Sequence, residues 1–244
     1  MDLNRLKQRF KKYVENYDLD DKAIRGKLEH SYRVMDISIL LAKSIELNDE
    51  EIEVATLIGL LHDYGRFEQW AKFRTYNDLE SIDHGDLAVY KLFDKGEIID
   101  YCDNVSYYDR IYNAIKYHNK YSYLSDLSDD NKRFCKIIRD ADKLDIFYLL
   151  GNVKELLKED DMSISDEVSK NFFNEKLISR EMVKNKSDNV ILSLAMVFDL
   201  ELDYSFKYIL DNKLIEKMFD NIIDKNKFSL YFEYIYNYIQ NKVN

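Results

Sequence analysis

Apolar residues recur three and four positions apart along almost the whole chain. This spacing is typical of amphipathic helices, whereas the strict alternation expected of half-buried strands is missing. Proline, which interrupts helices, is absent from the sequence. The pattern predicts an all-α protein, with helices at about residues 2–16, 20–46, 49–64, 84–94, 106–120, 131–150, 166–179, 188–201, 205–223 and 227–242.

One predicted helix is apolar on nearly every face. The run from Ile52 to Leu61 is expected to form a central buried helix, which carries His62 and Asp63 at its C-terminal end. In a later helix, an apolar stripe leads to His118 and places this imidazole on the core-facing side. The pattern therefore predicts polar groups inside a helical bundle.

The helix predicted at residues 131–150 carries acidic residues on or beside its apolar face. Asp145 falls on the buried stripe and Asp142 lies on its flank. Carboxylates are costly to bury unless a cation meets them, so a metal ion or a buried cation is expected nearby. Periodicity alone favours the two aspartates equally. The stripe consists of Phe134, Ile138, Ala141, Asp145 and Tyr148.

The chain of 244 residues contains no Pro-rich, Gly/Ser-rich or low-complexity linker, so we predict one domain over residues 1–244. All histidines fall within a half at about residues 20–150, and a helical extension follows at about residues 151–244. Apolar stripes in the extension are expected to form core or the surface of a homodimer. They comprise Leu214, Ile215, Met218, Phe219, Ile222, Phe228, Tyr231, Phe232, Ile235 and Ile239.

Composition narrows the classes of function. A net charge of -10 disfavours nucleic-acid binding, and an anionic substrate would need a local positive patch. No apolar run approaches the ~20 residues of a membrane span, and the N-terminus lacks the apolar segment of a signal peptide. A cytoplasmic location without membrane contact is expected. Cys102 and Cys135 are too few for a cysteine-type zinc site and are expected to be buried thiols.

The four histidines carry the candidate chemistry. His62 and His84 each adjoin an aspartate, Asp63 and Asp83, and an acidic segment at residues 139–145 follows the last histidine. Neutral imidazole suits transition metals, and carboxylates add charge and the capacity to bridge two ions, so the set points to a metalloenzyme. Four of the six glycines lie within four residues of a histidine, where small residues permit close packing. These are Gly26, Gly59, Gly65 and Gly85.

The order H, HD, H, H and D at positions 30, 62 and 63, 84, 118 and 142 resembles the HD superfamily of metal-dependent phosphohydrolases. The resemblance covers about residues 24–150 and implies an HD-type helical bundle followed by a helical extension. It also implies two divalent transition-metal ions, Mn, Fe, Co or Ni, with Mg or Zn as alternatives. By the family pattern, one ion would be bound by His30, His62, Asp63 and Asp142, and the second by Asp63, His84 and His118.

The family pattern also separates the other acidic residues by role. Asp142 is taken as the ligand, and Asp145 is expected to contact a ligand histidine or a helix end instead. Asp83 is expected either to orient His84 or to cap a helix.

Cations beside the ligand motifs are candidates for substrate binding. By the resemblance, Arg66 and Lys143 are expected to bind the substrate phosphate and to act with Asp63 in catalysis. Lys27, one turn before the first ligand, is a third candidate for substrate binding. The aromatic segment at residues 65–83 is expected to be either a lid over a base or sugar or a packed connection.

The resemblance implies a phosphomonoesterase or phosphodiesterase that uses a metal-bound hydroxide on a small anionic substrate, such as a nucleotide. Two alternatives remain open: an HD-fold mixed-valent di-iron oxygenase, which uses the same ligand set, and a non-catalytic nucleotide sensor that retains the metal. Cyclic di-GMP phosphodiesterase activity is disfavoured because the chain has no proline for the required Gly-Tyr-Pro element. Guanosine tetraphosphate hydrolysis is disfavoured because His62 begins His-Asp-Tyr-Gly-Arg rather than His-Asp-x-x-Glu-Asp.

Overall fold

The computed structural model describes residues 2–123, 126–153 and 163–243. Within these ranges the regular structure is helical and contains no β-strand, which confirms the all-α fold class. The α-helices are α1 (Leu3–Val14), α2 (Lys22–Ser44), α3 (Asp49–Leu61), α4 (Arg66–Phe73), α5 (His84–Val89), α6 (Tyr108–Tyr117), α7 (Asp129–Asn152), α8 (Asp166–Phe173), α9 (Lys186–Ala195), α10 (Asp203–Asp211), α11 (Leu214–Asp220) and α12 (Lys225–Val243).

Helix α3 begins at a reciprocal cap and runs into the core. The Asn48 side chain accepts a hydrogen bond from the backbone N–H of Glu51, and the Glu51 side chain accepts one from the backbone N–H of Asn48. Such a capping box satisfies two amides that the helix leaves unpaired. Every residue from Val54 to Leu61 is buried. The predicted central buried helix is confirmed.

The chain divides into two compact units, an N-terminal unit within residues 1–142 and a C-terminal unit within residues 143–244. In the N-terminal unit, α3 packs against α2 and α6, and α6 also packs against α5. In the C-terminal unit, α12 packs against α9, α10 and α11. Most residues of the predicted apolar stripes there are buried, which confirms them as core. The prediction of one domain, divided near residue 150, stays a prediction.

The helices differ from those expected at several places, of which three are the most informative. The predicted helix at residues 205–223 is two helices, because Lys213 adopts the left-handed conformation, with φ of 52°, between α10 and α11. Helix α8 ends at Phe173 rather than near residue 179, and Glu175, with φ of 55°, turns the chain. The segment Arg66–Phe73 was expected to be irregular but forms α4. Among the described residues, every helix is too short or too polar to span a bilayer.

Two glycines allow the backbone to approach neighbouring elements closely. A Cβ atom on Gly59 would lie 2.6 Å from Ser38 Oγ and 2.8 Å from Met35 Cα, on α2. A Cβ atom on Gly65 would lie 2.5 Å from the His84 carbonyl oxygen. The expectation of close packing is wrong for Gly26, because a Cβ atom there would meet nothing within 4 Å.

We predict opposite effects of alanine at two of these glycines. Gly59→Ala should lower the free energy of unfolding by about 1–3 kcal/mol, because the added methyl group overpacks the α2–α3 contact. Gly26→Ala, the matched control within α2, should raise it by about 0.5–1 kcal/mol, because alanine is the better helix former. Urea denaturation of both variants measures the two changes. A Gly59→Ala protein as stable as the wild type would contradict the close approach.

Candidate metal centre

The structure brings all six predicted ligand side chains together within the N-terminal unit. Three of them lie on helices α2, α5 and α7, and the other three lie directly after the ends of α3 and α6. His62 and His118 are the C-terminal cap residues of α3 and α6, and His84 is the first residue of α5. The remaining three are His30 on α2, Asp63 directly after His62, and Asp142 on α7. The four histidines and Asp63 are buried.

Asp63 lies between two pairs of histidines. Its Oδ2 atom is 3.3 Å from His30 Nε2 and 3.5 Å from His62 Nε2. Its Oδ1 atom is 3.5 Å from His84 Nε2 and 3.9 Å from His118 Nε2. One carboxylate therefore presents a separate oxygen to each pair.

Asp142 completes the first pair. Its Oδ1 atom is 3.2 Å from His30 Nε2 and 3.9 Å from His62 Nε2. Asp145 is fully buried as expected, whereas Tyr148, expected on the same stripe, is 41% exposed. Helix α7 turns this tyrosine outwards near its C-terminal end. The contact predicted between Asp145 and a ligand or helix end stays a prediction.

Hydrogen bonds at Nδ1 determine which nitrogen of His62 and of His118 faces the cluster. His62 Nδ1 lies 2.8 Å from the Gly59 carbonyl oxygen, and His118 Nδ1 lies 2.6 Å from that of Ile115. A carbonyl oxygen can only accept, so Nδ1 carries the proton and donates. In the neutral ring, the Nε2 atom then exposes a lone pair to the cluster.

Burial keeps these imidazoles neutral at pH 7. Desolvation lowers the pKa of His84 and of His118 to about 4, and it also lowers the pKa of His62. Yet the Nε2 atoms of His84 and His118 lie only 2.9 Å apart. Two lone pairs at that separation repel unless a cation lies between them. The arrangement is therefore complementary to a positive ion.

The separations between donor atoms fit a shared metal ion. Two donors, each about 2.1 Å from one ion, lie about 3.0 Å apart at a right angle and about 3.4 Å apart at a tetrahedral angle. The Nε2 atoms of His84 and His118 are 2.9 Å apart, and those of His30 and His62 are 3.3 Å apart. Two groups could each hold an ion, and Asp63 belongs to both. They are His30, His62 and Asp63, and Asp63, His84 and His118.

Neighbouring charges keep the two carboxylates ionised. Burial alone would raise the pKa of Asp63, but the cations Lys27 and Arg66 and a hydrogen bond from His30 hold it well below its usual value. Lys27 contributes most of these, with Nζ 2.6 Å from Asp63 Oδ2. Burial likewise opposes ionisation of Asp142, and His30 lowers its pKa instead. Ionised carboxylates and neutral imidazoles are the protonation states in which these groups bind metals.

The three predicted substrate-binding cations differ in their surroundings. Lys27 contacts the cluster directly through Asp63. Arg66 Nε lies 3.5 Å from Asp63 Oδ1, and its Nη1 atom donates to the Tyr76 carbonyl oxygen at 2.6 Å and to Asp78 Oδ1 at 2.9 Å. Lys143, in the C-terminal unit, has Nζ 2.8 Å from Asp199 Oδ2. Their predicted roles with substrate stay predictions.

The aromatic segment at residues 65–83 is mainly a packed connection. Phe67 is fully buried and makes edge contacts with the rings of Phe10 and Tyr13. Trp70 Nε1 donates to Asp21 Oδ2 at 2.8 Å, which joins α4 to the start of α2. Tyr76 has its ring centroid 5.5 Å from Lys27 Nζ. The structure favours the packed alternative over a lid for Phe67 and Trp70.

Asp78 is the important residue that the sequence did not reveal. Its Oδ2 atom lies 2.6 Å from His84 Nδ1. Asp83, which was expected either to orient His84 or to cap a helix, caps α5 by accepting from the Asp86 backbone N–H at 2.9 Å. Asp78 lies in a short 3-10 turn, Asp78–Glu80, so no helical periodicity pointed to it.

Among the remaining expectations, Cys102 and Cys135 are confirmed as buried free thiols.

A cleft of about 710 Å³ in the N-terminal unit lies apart from the six-residue cluster. Its walls include Lys12, Lys91 and Glu97, together with the stacked rings of Tyr13 and Tyr64. None of the six cluster residues lines it. The cleft and the candidate metal centre are therefore formed by different residues of the N-terminal unit.

The fold and the cluster define a class of protein, an all-helical domain with a buried His/Asp group suited to divalent metals. Residues 28–146 match the family model of the HD domain, and this segment includes all six cluster residues. This segment, just under half of the chain, is therefore similar to the HD domain. The HD superfamily is of the metal-dependent phosphohydrolase type, and most of its members are hydrolases. No curated protein and no solved structure matches the chain significantly.

Proposed function

We propose that the protein is a metal-dependent phosphohydrolase that cleaves a phosphate ester in a small anionic substrate such as a nucleotide. The observation that supports this most is the position of Asp63, whose two oxygens face two separate histidine pairs. A carboxylate in this position is suited to bridging two ions. Two-ion sites commonly clamp the attacking and leaving oxygens of a phosphoryl group.

The residues of the cluster would divide between two ions. His30, His62, Asp63 and Asp142 would hold one, and Asp63, His84 and His118 the other. Bound divalent ions supply Lewis acidity and make a bound water acidic enough to attack at neutral pH. The chain contributes buried donors, and Nδ1 hydrogen bonds already select the tautomers of His62 and His118.

Lys27 is the best placed of the three candidate cations to bind a phosphoryl oxygen. Its side chain is 23% exposed, so it can meet solvent and still contact Asp63. A divalent cation would compete with its ammonium group for Asp63 Oδ2, leaving Lys27 to pair with an anion at the same edge. Arg66 is less available to a substrate than Lys27, because its Nη1 atom already donates to several protein groups, including Gln69 Oε1 at 2.7 Å. Lys143 is neutralised by Asp199.

Metal content provides the first test. We predict close to two transition-metal ions per chain, falling sharply in Asp63→Ala, because that variant removes the shared ligand. His84→Ala and His118→Ala should lose mainly one ion. Elemental analysis of folded protein measures the stoichiometry, with Asp36→Ala on the exposed surface as control. A wild-type protein that takes up no Mn, Fe, Co or Ni would contradict the metal assignment.

Activity without oxygen separates hydrolysis from oxygenation. Hydrolysis needs no redox change, so Mn(II) or Co(II) should support anaerobic release of phosphate or a phosphomonoester from a panel of nucleotides and sugar phosphates. The alternative, a di-iron oxygenase, is supported by the same ligand set. Turnover that requires iron and scales with oxygen consumed would establish that alternative. Metal-loaded protein without any turnover would instead favour the non-catalytic sensor.

The cations should differ in their effect on catalysis. We predict that Lys27→Met lowers kcat/KM at least about tenfold without loss of metal, consistent with one lost charge-assisted contact of ~1.5–3 kcal/mol. Arg66→Met should have a similar or smaller effect, and Lys143→Met the smallest of the three. Lys72→Met, on an exposed surface, is the matched control. An unchanged kcat/KM in Lys27→Met would contradict its proposed contact with substrate.

A further inference from the structure

Asp78 joins one of the candidate ligands to one of the candidate cations. Its Oδ2 atom lies 2.6 Å from His84 Nδ1, and its Oδ1 atom accepts from Arg66 Nη1 at 2.9 Å. Gln69 Nε2 donates to the same Oδ1 at 2.8 Å, and Asn119 Nδ2 lies 3.2 Å from Oδ2. Both carboxylate oxygens are thus held by donors.

We propose that Asp78 is a positioning residue that holds His84 as a ligand of the second metal ion and links this ligand to Arg66. The proposal rests on the metal binding put forward above. An ionised carboxylate that accepts the Nδ1 proton fixes the ring orientation and leaves Nε2 free to face Asp63 Oδ1. Its negative charge also makes the imidazole a stronger donor to a metal.

The ring orientation of His84 depends on a hydrogen bond to another side chain, whereas the orientations of His62 and His118 depend on bonds to the backbone. His62 and His118 donate from Nδ1 to carbonyl oxygens of their own helices. Those bonds follow from the backbone and survive side-chain substitution nearby. The Nδ1 bond of His84 instead reaches a carboxylate six residues earlier, in the turn before α5. Replacement of that carboxylate should therefore weaken one half of the cluster selectively.

Asp83 provides a matched control, because it is adjacent to His84 in sequence but is engaged elsewhere. Its Oδ1 atom caps α5, and its Oδ2 atom accepts from Lys120 Nζ at 2.5 Å and from Asn119 Nδ2 at 3.0 Å. Asparagine is also a good N-cap residue, so Asp83→Asn should preserve the start of the helix. Asp78→Asn likewise keeps the shape of the side chain but removes its charge.

The test is metal binding itself. Metal-free wild type, Asp78→Asn and Asp83→Asn are titrated with Co(II), followed by visible absorption and by equilibrium dialysis. We expect Asp78→Asn to bind one ion as the wild type does and to bind the second about 10–100-fold more weakly. Asp83→Asn should bind both ions normally. Wild-type affinity for both ions in Asp78→Asn would overturn the proposal.

A second measurement does not depend on the variant's folding. In metal-free wild type, ¹⁵N-resolved NMR of the histidine side chains should show a proton on His84 Nδ1, shifted downfield of those on His62 and His118. Absence of a proton there would overturn the role of Asp78 even if Asp78→Asn does not fold. If the wild type binds no ion but this proton is present, the proposed metal function fails while the Asp78–His84 contact stands.

Discussion

The N-terminal unit depends on keeping one carboxylate ionised in its interior. Asp63 is buried, so its charge would be strongly unfavourable without positive neighbours. Lys27 supplies an ammonium group at 2.6 Å, and imidazoles approach both oxygens of the carboxylate. Four helices place these groups around Asp63, so the packing of the helices determines the balance of charge around this carboxylate. A mutation that disturbs the packing, or one that removes a charge, should therefore affect both the stability of the unit and the geometry of the site.

The C-terminal ends of α3 and α6 place two of the imidazoles beside Asp63. His62 and His118 occupy the same position, at the C-terminal cap of a helix, and each donates from Nδ1 to the carbonyl oxygen three residues earlier. This single hydrogen bond satisfies a carbonyl that the helix leaves unpaired, and it also selects the tautomer whose Nε2 atom faces the cluster. Close contact of α2 with Gly59 on α3 then brings His30 to the same place. Local helix chemistry and ligand geometry thus support each other.

Sequence reasoning predicted the residues that cluster in the structure because helix periodicity and residue order agreed. The apolar run before His62 required burial of that histidine, and the ordered histidines and aspartates resembled a family pattern. Asp78 escaped prediction because it lies in a short turn, where neither period nor motif distinguishes one polar residue from another. The break between α10 and α11 at Lys213 was not predicted for a related reason. Lys213 adopts the left-handed conformation within a continuous apolar pattern, and no glycine or proline in the sequence indicates a break there. Side-chain contacts outside regular helices were therefore the least predictable part.

The local balance of charge would let this acidic chain accept the anionic substrate that we propose. The protein carries a net charge of -10, which disfavours polyanions at long range. Screening limits that repulsion to a distance of about 8 Å at physiological salt, so the sign of the nearest groups decides binding. Two divalent ions would outweigh the charges of Asp63 and Asp142, and Lys27 would add to the excess. Asp78 does not cancel this excess, because Arg66 neutralises it locally. We therefore expect the site to attract a small phosphate ester when it is loaded with metal, while the rest of the surface repels larger nucleic acids.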